Sequence, residues 1–134
     1  MEKEICGSGN WHDCGPDGAG PWAKTSPVGL LGLLGTAHWR ITVSNAGPVD
    51  AASVTVNDAV TPGCRKAAGT FTLPAGATRR VYCDSFLLAL PLKNTASASF
   101  VPANSPPGTS PTTTAPSAAV ACSLLCILAV PDKD

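Results

Sequence analysis

The stretch from Trp39 to Val60, WRITVSNAGPVDAASVTVNDAV, constrains the fold more than any other part of the chain. Trp39, Ile41 and Val43 fall on one face while Arg40, Thr42 and Ser44 fall on the other, the period-two pattern of a strand with one face buried. In the second half Val54, Val56 and Asp58 alternate with Ser53, Thr55 and Asn57. The intervening SNAGPVDAA carries Asn, Gly, Pro and Asp, residues that turn a chain by tolerating positive φ, fixing φ or bonding their own backbone. A strand, a corner and a strand are expected, with the rest of the chain packed onto them.

Composition points the same way. Thirteen Gly and thirteen Pro among many Thr, Ser, Val and Ala suit short strands joined by turns, so the class is expected to be all-β. With 134 residues and 44% apolar content, one domain with a sizeable core is expected. Only 13% of residues are charged and the formal net charge is zero, which leaves no field to gather nucleic acid or an anionic membrane surface.

The run ITVSNAGPVDAASVTVNDAV resembles the signature of the bacterial cell-surface repeat family DUF11. FTLPAGATRRVYC resembles that family's hairpin and NTASASF its closing strand, while CGSGNWHDCGPDGAGPW followed by HWRITV looks like an actinobacterial subtype. The match covers about residues 1–101. It implies an immunoglobulin-like antiparallel β-sandwich of about seven strands with disulfide-stapled loops, and says less about activity, since a fold does not fix a function.

Six Cys in so short a chain suggest an oxidising compartment, hence secretion or surface display. The opening MEKEIC has neither a basic region nor an apolar run that would direct export, so either an excised or mature segment with an added Met or a misplaced start codon is expected. A cytosolic chain with metal-bound thiols is the competing reading.

In chain order, Glu2 to Ile5 reads as a first strand with Lys3 and Ile5 on one face. Cys6 and Cys14 bound a Gly-dense loop with too few apolar groups to hold itself, and a disulfide between them would constrain it. The rival, Cys6, His12 and Cys14 as metal ligands, lacks a fourth ligand and the close Cys spacing of zinc knuckles. Trp11 and Trp22 flank the loop. They form either a platform for a sugar ring or a partner's side chain, or covers over one end of the core. TSPVGLLGLLG, residues 25–35, is either an exposed apolar contact surface or a tucked closure of the sandwich end.

In FTLPAGATRRVYC, Phe71, Leu73, Val81 and Cys83 are expected to face inward around a turn, with Arg79 and Arg80 reaching solvent. A bridge between Cys64 and Cys83 would close roughly twenty residues and contribute about 3 kcal/mol in the chain-entropy model. Pro91 interrupts the apolar run after it and argues for a loop or edge strand. Asn94, Ala96, Ala98 and Phe100 then share one face of a closing strand. The Pro- and Thr-rich residues 102–117 read as a loop or linker. Residues 118–134 read as an apolar C-terminal strand, either the chain's own last strand or one donated to a neighbour. They are too short for a spanning helix, which needs about twenty residues. Cys122 and Cys126 cannot bridge each other within one extended strand, since four residues span about 13 Å. They require other partners, a helical turn or another chain.

One constellation bears chemistry. Lys3 shares a face with Ile5, Asp58 with Val54 and Val56, and Asn94 with Ala96, Ala98 and Phe100, so each is expected to point into the core, where polar groups need partners. A Lys on the first strand, an acid in the middle and an Asn near the last resemble the intramolecular isopeptide bonds of bacterial surface domains, in which a desolvated Lys attacks the Asn side chain. The plain alternative is a frayed Lys3, an Asp58 that caps a turn and an Asn94 that bonds backbone.

His12 and His38 lie in no nucleophile motif, His38 falls on the outward side of its strand, and there is no C-x-x-C, P-loop or H-E-x-x-H. The expected function is non-enzymatic, without cofactor or metal: a structural or assembly module, self-associating or meeting neighbouring repeats. The alternative is a glycan- or protein-binding module built on Trp11 and Trp22.

Overall fold

The structure is a computed structural model and describes residues 1–7, 11–27, 36–58, 68–86 and 92–122. The Leu-rich residues 28–35, Cys64, Pro91 and Cys126 lie outside the described residues, as do the side chains of Trp11, His12 and Cys122.

Ten strands follow one another among the described residues: β1 (Glu2–Cys6), β2 (Trp22–Ala23), β3 (Thr25–Pro27), β4 (Thr36–Ser44), β5 (Ala51–Asp58), β6 (Thr70–Leu73), β7 (Thr78–Phe86), β8 (Leu92–Pro102), β9 (Thr112–Thr113) and β10 (Ser117–Cys122). A 3-10 turn, Trp11–Cys14, lies between β1 and β2. Seven of the strands have four residues or more, which is the expected number. They form two sheets, one ordered β2-β1-β4-β7 and the other β3-β10-β8-β5-β6, with β9 on β8. The pairings are antiparallel except β3 with β10, which is parallel. The class is therefore all-β, a two-sheet sandwich.

The corner expected between Trp39 and Val60 carries the chain from one sheet to the other, since β4 pairs with β1 and β7 while β5 pairs with β6 and β8. Asn45 holds it. Its Nδ2 donates to the carbonyls of Val49 at 2.8 Å and Leu73 at 3.0 Å, and its Oδ1 accepts from the Gly47 amide at 3.0 Å. The expected hairpin around PAGA is instead a second crossing, because β6 pairs with β5 and β7 with β4. Ala77 N–H closes its turn on the Pro74 carbonyl, with Gly76 at φ 76°, a conformation open to glycine.

Both strands of the central pair bury the expected face. Trp39 and Ile41 are fully enclosed, and Val54 and Val56 face them from the other sheet in one core cluster with Ile5, Leu73, Val81, Ala96 and Ala98. The strict alternation of β5 breaks once. Ser53 adopts φ 53° and the register with β6 and β8 shifts there, so an extra residue lets both Ala51 and Val54 face the core.

At one edge the sheets are joined by the chain itself, β2 belonging to the first and β3 to the second with Lys24 between. Val120 N–H donates to the Lys24 carbonyl at 2.7 Å. Ser117–Cys122 pairs with β8 of the same chain in the register Ser117 to Ala96 through Ala121 to Leu92. The Pro- and Thr-rich tract contributes β9, where Thr112 and Thr113 lie against Phe100 and Ser99.

Candidate functional site

Three polar side chains meet the core as the alternation required. Lys3 lies on β1 between the exposed Glu2 and half-buried Glu4, Asp58 ends β5 on the face of Val56, and Asn94 sits on β8 on the face of Ala96 and Ala98. Lys3 and Asn94 are fully enclosed and Asp58 nearly so. In the ladder between β5 and β8, Asp58 stands opposite Ala96. Asn94 is two residues along from Ala96, which makes it the diagonal neighbour of Asp58 on the same inward face.

Lys3 reaches Asp58 from the opposite sheet. Its Nζ donates to Asp58 Oδ2, so the ion pair spans the two layers. The same Nζ lies 5.2 Å from the centre of the Trp39 ring, an apolar wall with a favourable cation–π geometry. Burial pushes the Lys3 ammonium below its ordinary value of 10.5, while the hydrogen bond and charge of Asp58 pull the other way. The group is thereby brought closer to a neutral, nucleophilic amine.

The backbone around Lys3 is fixed by residues that the sequence reading passed over. Lys3 N–H donates to Ser117 Oγ at 3.0 Å, and Lys24 Nζ donates to the Lys3 carbonyl at 2.9 Å and to Ser117 Oγ at 2.8 Å. Glu2 closes the set through an ion pair with Lys24 at 3.1 Å. Ser117 precedes an apolar run and Lys24 follows a tryptophan loop, so neither carried a local signal. Only the pairing of β3 with β10, and the packing of both against β1 of the other sheet, brings them together.

The other residues singled out fall elsewhere. Cys6 and Cys14 form a disulfide with Cα atoms 5.6 Å apart, which closes the loop between β1 and the 3-10 turn. Cys83 also takes part in a disulfide, and its expected partner Cys64 lies outside the described residues. Trp22 lies against the outward face of the first sheet, with the Arg40 guanidinium 4.6 Å from its ring centre and the Tyr82 ring edge-on at 5.7 Å. Arg40 is itself held by Glu4 at 2.7 Å. The indole of Trp22 is thus engaged by its own chain along a sheet face, where the sequence suggested a platform or an end cover. His38 is outward as expected and its Nδ1 lies 2.6 Å from Asp84 Oδ1. Arg79 and Arg80 are exposed, and Arg79 stacks 4.4 Å from the centre of the Phe71 ring.

Among the described residues no group of three or more His, Cys, Asp or Glu is placed to hold a metal ion, and no helix is long and apolar enough to cross a membrane.

No curated protein and no solved structure matches the chain. Residues 1–120 match a family described as Domain of unknown function (DUF7617), which is not the DUF11 family that the strand motifs resemble. Neither DUF11 nor its actinobacterial subtype is supported. The motifs that suggested it, ITVSN, GPVDA and SVTVND, are β4, the intersheet corner and β5. They report the steric demands of a strand-corner-strand unit, which unrelated sandwiches share. The match also runs past residue 101 through the Pro- and Thr-rich tract into β10, the strand whose hydroxyl fastens Lys3, and on this extent the chain belongs to the DUF7617 family.

Proposed function

We propose that the chain is a non-enzymatic structural module of a secreted or surface-displayed protein, bearing load as a unit of an array or filament and meeting protein neighbours, its own copies among them. The observation that carries this reading is the fastening of β1 to β10. The first and last described strands are bridged by Lys3 N–H and Lys24 Nζ on Ser117 Oγ, and β1 is tied across the layers to β5 by Lys3 and Asp58. Tension that reaches the described fold from either side enters at these strands, and the donors that converge on Ser117 Oγ share the load there. The oxidised Cys6, Cys14 and Cys83 support an oxidising compartment.

Stretching single molecules between their termini tests the reading. The oxidised protein is expected to unfold at a higher force than a Lys24→Ala, Ser117→Ala double variant, which lacks the bridge between the end strands. Equal unfolding forces would overturn it.

A further inference from the structure

We propose that Lys3 and Asn94 join in an intramolecular isopeptide bond, formed by the folded chain itself with Asp58 as the acid–base group. The placement carries this. A lysine amine enclosed in the core is hydrogen-bonded to a carboxyl group whose diagonal neighbour, on the same inward face, is an enclosed carboxamide. A buried ion pair alone needs only two of these residues, and an all-apolar core needs none.

The chemistry balances without an oxidant, a cofactor or a metal. The Lys3 ammonium gives a proton to Asp58, and the neutral Nζ attacks Cγ of Asn94. The protonated Asp58 supports charge developing on the carboxamide oxygen. In the tetrahedral adduct Nζ loses a second proton, which passes by way of Asp58 to the departing amide nitrogen. The Cγ–Nδ2 bond breaks, a Cγ–Nζ bond remains, and one ammonia leaves. Burial favours the neutral amine over a hydrated ammonium and excludes water that would hydrolyse the adduct, while Asp58 offsets the charge of the adduct that burial would penalise. The indole of Trp39, 5.2 Å from Nζ, supplies that apolar wall.

The bond would unite β1 of one sheet with β8 of the other. It closes a covalent ring that contains β4 to β7, so the sandwich could not be peeled open from its N-terminal strand. The crosslink stands apart from the load-bearing reading, since a chain could carry the bond without serving under tension.

Mass spectrometry of the full chain after complete reduction tests it. The wild type is expected to weigh one ammonia less than its sequence. Trypsin should yield a branched product joining residues 1–24 to residues 94–133, because an acylated Lys3 resists cleavage. Asp58→Ala, which keeps both reacting groups, and Asn94→Ala are each expected to show the full sequence mass and free peptides. A wild-type chain of full mass would overturn the proposal. So would an ammonia loss confined to an unbranched Asn94 peptide, the signature of succinimide formation, or a branched product in Asp58→Ala equal in yield to that of the wild type.

Discussion

Lys3 and Asp58 are joined across the two sheets by an ion pair whose side chains have no exposed surface. A charge taken out of water is stable only while its partner is present. In the Asn94→Ala background, where Lys3 stays an amine, Asp58→Ala leaves that amine enclosed without its carboxylate, and losing one partner of a buried pair costs about 3–5 kcal/mol. Replacing both residues with apolar ones, Lys3→Met with Asp58→Leu, removes the charge altogether and is expected to recover most of that loss. Neither variant can form the crosslink, so the difference between their urea midpoints reads the unpaired charge together with the volume that Met and Leu restore. Equal midpoints would show that the pair does not hold the layers together.

The lowered proton affinity of Lys3 gives a pH signature. In Asn94→Ala the amine stays free. Between its lowered folded value and the ordinary 10.5, the unfolded chain holds a proton that the folded chain lacks. Stability then rises with pH across that window and levels off above it. In the crosslinked wild type Lys3 is an amide and does not titrate. Of the charged groups facing Lys3, Asp58 is common to both proteins, as is Lys24 at its carbonyl. The advantage of the wild type over Asn94→Ala, measured by denaturant unfolding at stepped alkaline pH, should therefore narrow as pH rises. A constant advantage would contradict a free, depressed amine in the variant.

The Cys6–Cys14 disulfide closes a short ring, with a sequence separation of 8. The chain-entropy model gives such a ring about 2.5 kcal/mol. Replacing both cysteines with serine should lower stability by about that much and speed amide exchange first in β1 and β2, where Cys6 stands opposite Trp22. Unchanged exchange in these strands would mean that the ring is held by other contacts.

Among the described residues Trp39 is the largest fully enclosed side chain. Trp39→Ala opens a cavity and should cost about 3–5 kcal/mol by thermal or urea unfolding. It also removes the wall beside Lys3 Nζ and admits water to the amine. The yield of the branched peptide should fall with it in any fraction that still folds.

Period-two reasoning placed the interior of this protein well, because an alternating strand in a sandwich has one dry face. Trp39, Ile41, Val54, Val56, Ala96 and Ala98 are all buried as the pattern required, and so are the polar Lys3, Asp58 and Asn94. The pattern does not record which sheet receives a strand. PAGA therefore read as a hairpin turn although it crosses between layers. Ser53 escaped notice because a bulge shows in backbone angles and register, and Ser is not a residue that announces positive φ. Lys24 and Ser117 are 93 residues apart, and their meeting depends on long-range strand pairing that no local window contains. The family was misread for the converse reason. Its apparent signature was the chemistry of a turn and two strands, which many sandwiches need and none owns.

The most direct test of a sandwich tied across its layers is the length released when one molecule, its disulfides reduced, is pulled from both ends until it unfolds. With Lys3 bonded to Asn94 the chain between them cannot extend, and the released length is expected to fall short of that of Asn94→Ala by about 300 Å, at roughly 3.4 Å per residue. Equal released lengths for the two proteins would contradict the covalent tie.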